Sequence, residues 1–100
     1  MKKKIAILGS TGSIGKTLIE IIKKDKKNFK VILLTAHKSY KEILKQAKIL
    51  QVKNLIITDK KSYLNLSKNK LGKIKIYNDY DSFNKIFKKK IDYVMSSISG

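Results

Sequence analysis

The residues whose types and spacing could do chemistry stand near the start of the chain: Gly9-Ser10-Thr11-Gly12-Ser13-Ile14-Gly15. Glycines in a G-x-x-G-x-x-G pattern let the backbone turn sharply and approach a bulky anion closely. The turn follows the apolar run Ile5-Ala6-Ile7-Leu8 and leads into a helical pattern. Strand, glycine turn, helix is the setting in which such a motif binds phosphate. The N–H groups at the helix start face the anion, and the helix dipole favours its charge. Spacing separates the motif from two lookalikes. The G-x-G-x-x-G fingerprint has a single residue between its first glycines, where this chain has Ser10-Thr11. A P-loop requires G-x-x-x-x-G-K-[ST]. Gly15-Lys16-Thr17 supplies its end, but Ser10 occupies the place of its first glycine. No later strand ending in an acid completes an NTPase. The bland alternative, a tight turn without a ligand, competes poorly once a strand and an amphipathic helix flank the glycines.

A second group of candidates closes the next apolar run, Val31-Ile32-Leu33-Leu34, with Thr35-Ala36-His37-Lys38-Ser39. In a dinucleotide fold this place, about 20 residues past the glycine turn, meets the adenosine ribose. An acid there binds the 2′-hydroxyl and repels a 2′-phosphate. The chain has no carboxylate in this stretch, while Lys38 offers a cation and His37 and Ser39 offer hydrogen bonds. That favours NADP(H) over NAD(H). Lys38 is one lysine among 24, so its position at a strand end carries the argument. His37 is the weaker candidate, since a lone histidine in such a loop is usually structural or solvated. Ser96, Ser97 and Ser99 follow the last apolar run, Tyr93-Val94-Met95. With no base beside them a serine nucleophile has little support, and a loop passing the dinucleotide fits their strand-end position better. Asp59, Asp79, Asp81 and Asp92 sit at turns or helix caps and read as neither catalytic acids nor metal ligands.

The elements that must position these residues alternate. Strands are expected at 4–8, 31–34, 55–57, 73–77 and 93–95. Helices are expected at 13–24, 40–50 and 60–67, with a further one carrying Phe83, Ile86 and Phe87, capped by Asp79 or Asp81. In the first helix Ile14, Leu18, Ile21 and Ile22 form an apolar stripe, and in the second Ile43, Ala47 and Leu50 do, with Ser39 as its cap. A polar turn spans 25–28. Uninterrupted apolar strands alternating with helices predict an α/β fold: a doubly wound parallel sheet of Rossmann type.

Composition bounds the rest. One hundred residues suffice for a single domain of modest core. The chain has no cysteine and no proline, hence no disulfides and no thiolate chemistry. The apolar run after Lys2-Lys3-Lys4 is too short for an export segment, and nothing approaches the ~20 apolar residues of a membrane span. The cytoplasm is the expected compartment, with no membrane partner. The formal net charge is +17, all of its basic residues being lysine. Arginine, the usual reader of phosphate and guanine, is missing, and lysines cover nearly every polar face. A solvated lysine surface is therefore favoured over a specific nucleic-acid site, although weak polyanion binding follows from charge alone.

Residues 5–15, Ile-Ala-Ile-Leu-Gly-Ser-Thr-Gly-Ser-Ile-Gly, resemble the N-terminus of the 1-deoxy-D-xylulose-5-phosphate reductoisomerase family almost residue for residue. Asn28-Phe29-Lys30-Val31, Asp92-Tyr93-Val94-Met95 and Ser97-Ile98-Ser99-Gly100 continue the likeness. The resemblance implies an NADPH domain, in an enzyme that makes 2-C-methyl-D-erythritol 4-phosphate for isoprenoid synthesis by the non-mevalonate pathway. It places the cofactor-contacting turn on Thr11, Gly12, Ser13 and Ile14, between Gly9 and Gly15. It places a second cofactor loop, Gly-Lys-Asn in the family, on His37, Lys38 and Ser39, where only the lysine is kept. Ser97 and Ile98 would pass near the cofactor. The family's divalent metal (Mg or Mn), its sugar-phosphate site and its flexible loop are expected beyond position 100. Residues 1–100 are thus expected to be an incomplete N-terminal NADPH-binding domain, inactive alone, of a full-length homodimer. Two other functions stay open: another NAD(P)-dependent oxidoreductase with the same turn, and a basic polyanion-binding module.

Overall fold

A computed structural model of the chain describes residues 2–81, 83 and 91–96. Its elements are β1 (Lys3–Leu8), α1 (Ser13–Lys23), β2 (Phe29–Ala36), α2 (Tyr40–Leu50), β3 (Asn54–Ile57), α3 (Lys60–Ser67), β4 (Lys75–Tyr77) and β5 (Tyr93–Ser96). The strands form one sheet in the order β4-β3-β2-β1-β5, every neighbouring pair parallel. The chain therefore steps outward from β1 to β4 and then returns to the other side of β1. That reversal opens a crevice at the carboxyl end of β1, where open α/β sheets bind ligands.

The strands are apolar because both faces are covered. Ile5, Ile7, Val31, Leu34, Ala36, Leu55 and Ile57 face one core, where Ile19 and Ile22 of α1, Ile43, Leu44 and Ala47 of α2, and Leu66 of α3 pack on them. Ala6, Leu33 and Ile56 face the other, against Tyr77, Phe83 and Ile91. Burying one such Ile or Leu side chain contributes about 1.5–3 kcal/mol. In β2 the facing residues jump from Val31 to Leu34 because the strand is bulged. Ile5 pairs with Val31 but Ala6 with Leu33, leaving Ile32 as the extra residue. Asn54 donates its side-chain N–H to the Ile32 carbonyl at 3.1 Å, satisfying the irregular position.

Several expectations need correction. The buried face of α1 is Gly15, Ile19 and Ile22, while Ile14 and Ile21 are 63% and 55% exposed. The apolar arc of this helix is wide enough for more than one buried face, and the need to turn Gly15 inward fixes its rotation. Ser39 occupies the N-cap position of α2 but makes no side-chain cap hydrogen bond. Glu42 instead places negative charge in the first turn. Strand β4 begins at Lys75 rather than at position 73, since a turn through Gly72 (φ +59°), closed by Ile74 N–H to the Leu71 carbonyl at 2.9 Å, takes up the preceding residues. Strands β1, β2, β3 and β5 run beyond their apolar runs, as their ladders continue through flanking residues. Of the helix expected around Phe83, Ile86 and Phe87, only Phe83 lies within the described residues. Among the described residues no helix is long and apolar enough to cross a membrane.

Candidate functional site

The glycine turn sits at the carboxyl end of β1. Gly9 has φ 74°, a left-handed conformation that favours glycine. Gly12 N–H bonds back to the Gly9 carbonyl at 3.1 Å, and Lys16 N–H to the Gly12 carbonyl at 2.8 Å opens the helical ladder. The N–H groups of Ser13, Ile14 and Gly15 precede that first helical bond, so no intrahelical carbonyl can meet them. Gly12, the N-cap, offers no side-chain acceptor, and the first turn carries no acid. The start of α1 is a set of donors at the positive end of a helix dipole, facing the crevice.

Gly15 contributes through packing. A Cβ there would overlap the Gly9 carbonyl oxygen and lie 2.6 Å from the Ser10 Cα, both backbone atoms that cannot swing aside. Only glycine lets α1 start so close to the turn.

The turn is held from β2 and α2. Gly9 N–H donates to Thr35 Oγ1 at 3.0 Å, and Ser10 N–H to the Thr35 carbonyl at 2.9 Å. From α2, Gln46 Nε2 donates to the Ser10 carbonyl at 2.9 Å. Gln46 is 4% exposed, and both its Oε1 and the Ser10 Oγ are buried without a hydrogen-bond partner among the described residues. Gln46→Leu is expected to destabilise the chain by about 1 kcal/mol, since losing the bond to a buried carbonyl outweighs removing one orphan oxygen. The same substitution should loosen the turn. Thermal melts with and without nucleotide would show a fall in Tm and a smaller ligand-induced rise than the parent chain gives.

Next to the turn, a cleft of about 340 Å³ opens across the carboxyl ends of β1, β2 and β3. It is lined by Gly9 and Thr11 after β1, Thr35, Ala36 and His37 at the end of β2, Thr58 after β3, and Tyr80; the walls are mostly apolar. His37 Nδ1 lies 2.7 Å from Thr58 Oγ1, which fixes the imidazole at the rim. Lys38 and Ser39 follow directly, Lys38 exposed.

Asp59 completes this corner, and the sequence reading gave it only the role of a turn or cap. It is the cap of α3: its Oδ2 accepts from Ser62 N–H at 3.1 Å and from Ser62 Oγ–H at 2.8 Å. These two bonds are the main reason its carboxyl is held below the usual range, with smaller help from the charges of Lys38 and His37. β2–β3 pairing brings them together, Asp59 N–H bonding the His37 carbonyl at 3.0 Å. Because the folded-state pKa is depressed, Asp59 stabilises the fold above the ordinary carboxylate pKa of about 3.9, and this stabilisation is lost as pH falls through the lowered value. Asp59→Ala should lower Tm at neutral pH but change it little once the carboxylate is protonated. Melts from pH 7 down to about 2 check this, the two Tm curves converging at the acid end.

Another cavity, about 270 Å³, lies at the opposite end of the sheet among Lys2, Lys26, Lys30 and Phe29, away from the glycine turn. Of the residues singled out in the sequence, Gly9, Thr11 and His37 line the cleft. Gly12, Ser13 and Ile14 are exposed and Gly15 is buried; Lys38 and Ser39, both exposed, follow His37 in sequence, and none of these six lines the cleft. Ser97 and Ile98 fall outside the described residues. Thr35 entered the sequence reading only as part of the strand-end stretch 35–39, and Gln46, Thr58 and Tyr80 not at all, because each reaches the site through contacts distant in sequence.

The profile of the family described as 1-deoxy-D-xylulose 5-phosphate reductoisomerase matches residues 5–100. The 1-deoxy-D-xylulose 5-phosphate reductoisomerase of Pelagibacter ubique (strain HTCC1062) is 56% identical over 101 residues, covering 98% of this chain and 26% of that protein. The structure of the reductoisomerase from Zymomonas mobilis in complex with NADPH superposes with a TM-score of 0.88 at 27% identity, covering 100% of this chain and 27% of that one. A DOX-P reductoisomerase solved with NADPH, fosmidomycin and magnesium shares the fold, with a TM-score of 0.86 at 24% identity over 98% of this chain and 25% of that one. The chain thus spans about a quarter of the length of these relatives. From the glycine turn to the last strand, this chain belongs to the 1-deoxy-D-xylulose 5-phosphate reductoisomerase family.

Proposed function

We propose that this chain is the N-terminal NADPH-binding part of a reductoisomerase that converts 1-deoxy-D-xylulose 5-phosphate to 2-C-methyl-D-erythritol 4-phosphate in the non-mevalonate isoprenoid pathway. The observation that carries the reading is the uncapped start of α1, its open N–H donors set beside a mostly apolar cleft at the reversal of the sheet. NADPH fits these residues. Its pyrophosphate needs backbone donors and close approach, which Thr11, Gly12, Ser13 and Ile14 offer between Gly9 and Gly15. Its adenosine needs an apolar slot, and its 2′-phosphate a cation without an opposing acid. Lys38 and Ser39 directly follow His37 of the cleft, and the Asp59 carboxylate, near Lys38, is bonded to Ser62.

When bound, NADPH supplies the hydride for the reduction. What this chain supplies is placement. The turn grips the pyrophosphate, the end of β2 holds the adenosine half, and together they aim the nicotinamide toward the other side of β1. Ser97 and Ile98 we assign to the loop that passes the cofactor there. Among the described residues no group of three His, Cys, Asp or Glu side chains could hold a metal ion. On the family likeness we assign the divalent metal and the sugar-phosphate site to parts of the protein beyond these residues, and the whole protein to a cytoplasmic homodimer. The purified chain is expected to bind NADPH saturably yet to oxidise none when given 1-deoxy-D-xylulose 5-phosphate and magnesium. Turnover by residues 1–100 would overturn this division of labour, and absence of NADPH binding by a folded chain would overturn the assignment itself.

A further inference from the structure

We propose that Tyr80 is a binding and positioning residue of this site, closing the cleft over the adenine ring and holding the glycine turn through Thr35. The inference rests on the NADPH reading and adds a residue to it. Tyr80 lies beyond β4, yet its hydroxyl is 2.9 Å from Thr35 Oγ1. Thr35 Oγ1 in turn accepts the Gly9 N–H at 3.0 Å. A hydrogen-bonded chain therefore runs from Tyr80 through Thr35 to the first glycine. Thr35 is fully buried, so its hydroxyl has no water with which to replace the tyrosine. The contact spans 45 residues of sequence and selects the Thr35 orientation that receives Gly9.

Tyr80 as a residue is 36% exposed, although its hydroxyl is bonded to the buried Thr35. Tyr40 and Tyr63 pack against the main core and Tyr77 against the smaller one. Tyr80 instead lines the cleft, where it and His37 are the ring side chains among mostly apolar walls. The cleft is at the lower end of the roughly 300–1,000 Å³ of ligand pockets, a size for part of a dinucleotide rather than the whole. A flat aromatic guest satisfies such a slot, because every base presents a π-face on which a tyrosine can stack.

The two roles separate experimentally. Tyr80→Phe keeps the ring and breaks the chain to Gly9, whereas Tyr80→Leu removes the ring and the hydroxyl together. NADPH engages both the cleft and the turn, whereas adenosine 2′-monophosphate has no pyrophosphate and engages the cleft alone. Titrating both ligands into the parent chain and the two variants, with far-UV circular dichroism as the folding control, gives the test. Tyr80→Phe is expected to weaken NADPH binding about threefold and to leave adenosine 2′-monophosphate unchanged. Tyr80→Leu should weaken both ligands, by about tenfold or more. A residue that merely stabilised the fold would weaken both ligands alike in both variants, and that result would overturn the proposal. Unchanged binding by folded Tyr80→Leu, while the parent chain binds NADPH, would also overturn it and leave the NADPH reading intact. Failure of the folded parent chain to bind NADPH would instead remove both.

Discussion

Gly15→Val is expected to abolish measurable NADPH binding and to lower Tm by about 10–20 °C. The added side chain has nowhere to go: even its Cβ would meet the Gly9 carbonyl and the Ser10 Cα, atoms fixed by the turn. Overpacking of this kind costs about 1–3 kcal/mol, and more when the obstacle is backbone. For a domain of this size each kcal/mol shifts Tm by about 4–8 °C. The binding loss is larger than stability alone would give, because relief of the clash pushes α1 away from Gly9 and takes its N–H donors out of register. Gly15→Ala should show the same direction with a smaller fall in Tm. Gly72→Ala is the matched control. Its φ of +59° makes alanine strained, but nothing lies within 4 Å of the added Cβ. That substitution is expected to cost about 1 kcal/mol and to leave nucleotide affinity unchanged. Thermal melts and NADPH titrations on the three variants read out both effects.

Lys38→Ala is expected to weaken NADPH binding about tenfold while NADH binding stays within about twofold of the parent chain. A hydrogen bond to a charged group is worth about 1.5–3 kcal/mol, and the exposure of Lys38 places it at the low end of that range. Two further signs follow from the local charges. Raising salt from about 0.05 to 0.5 M should narrow the NADPH–NADH gap in the parent chain, since exposed ion pairs are screened. Adding Asp59→Asn to Lys38→Ala should recover part of the lost NADPH affinity. It removes the carboxylate that Lys38 otherwise offsets, and asparagine remains a competent cap for α3. Equilibrium titrations of the single and double variants with both nucleotides, at both salt concentrations, check all three statements.

What was legible in the sequence was local. The strand–glycine–helix spacing of residues 5–22 announced the turn, and the ranges of α2 and α3 followed directly from apolar periodicity. The parallel α/β architecture followed from the alternation of unbroken apolar runs with helices. Contacts that cross the fold were not legible. Tyr80 and Thr35 are 45 residues apart, and Gln46 and Ser10 are 36 apart; no spacing rule joins such pairs. The bulge at Ile32 was hidden because every residue around it is apolar, so the facing pattern of β2 could not be read from hydropathy. The same excess of isoleucine and leucine blurred α1. Ile14, Leu18, Ile19, Ile21 and Ile22 allow more than one stripe, and only the tertiary demand on Gly15 chooses between them. Asp59 read correctly as a turn or cap, but its nearness to Lys38 and His37 depended on which strands pair.

The surface lysines have a simpler physical account. Among the described residues one ion pair appears, Lys23 with Glu20 at 3.4 Å on the exposed side of α1. The other described lysines are exposed, adding non-specific attraction for anions rather than defining a fold. NADPH is itself an anion, so selectivity and not affinity alone must separate a built site from this general attraction.

The measurement that does so most directly is a paired equilibrium titration of folded residues 1–100 with NADPH and NADH at about 0.15 M salt, with inorganic polyphosphate as a competing polyanion. The site described here predicts saturable one-to-one binding that prefers NADPH and persists in the presence of the polyphosphate. Equal binding of both nucleotides, displaced by the polyphosphate, would contradict it and leave only a charged surface.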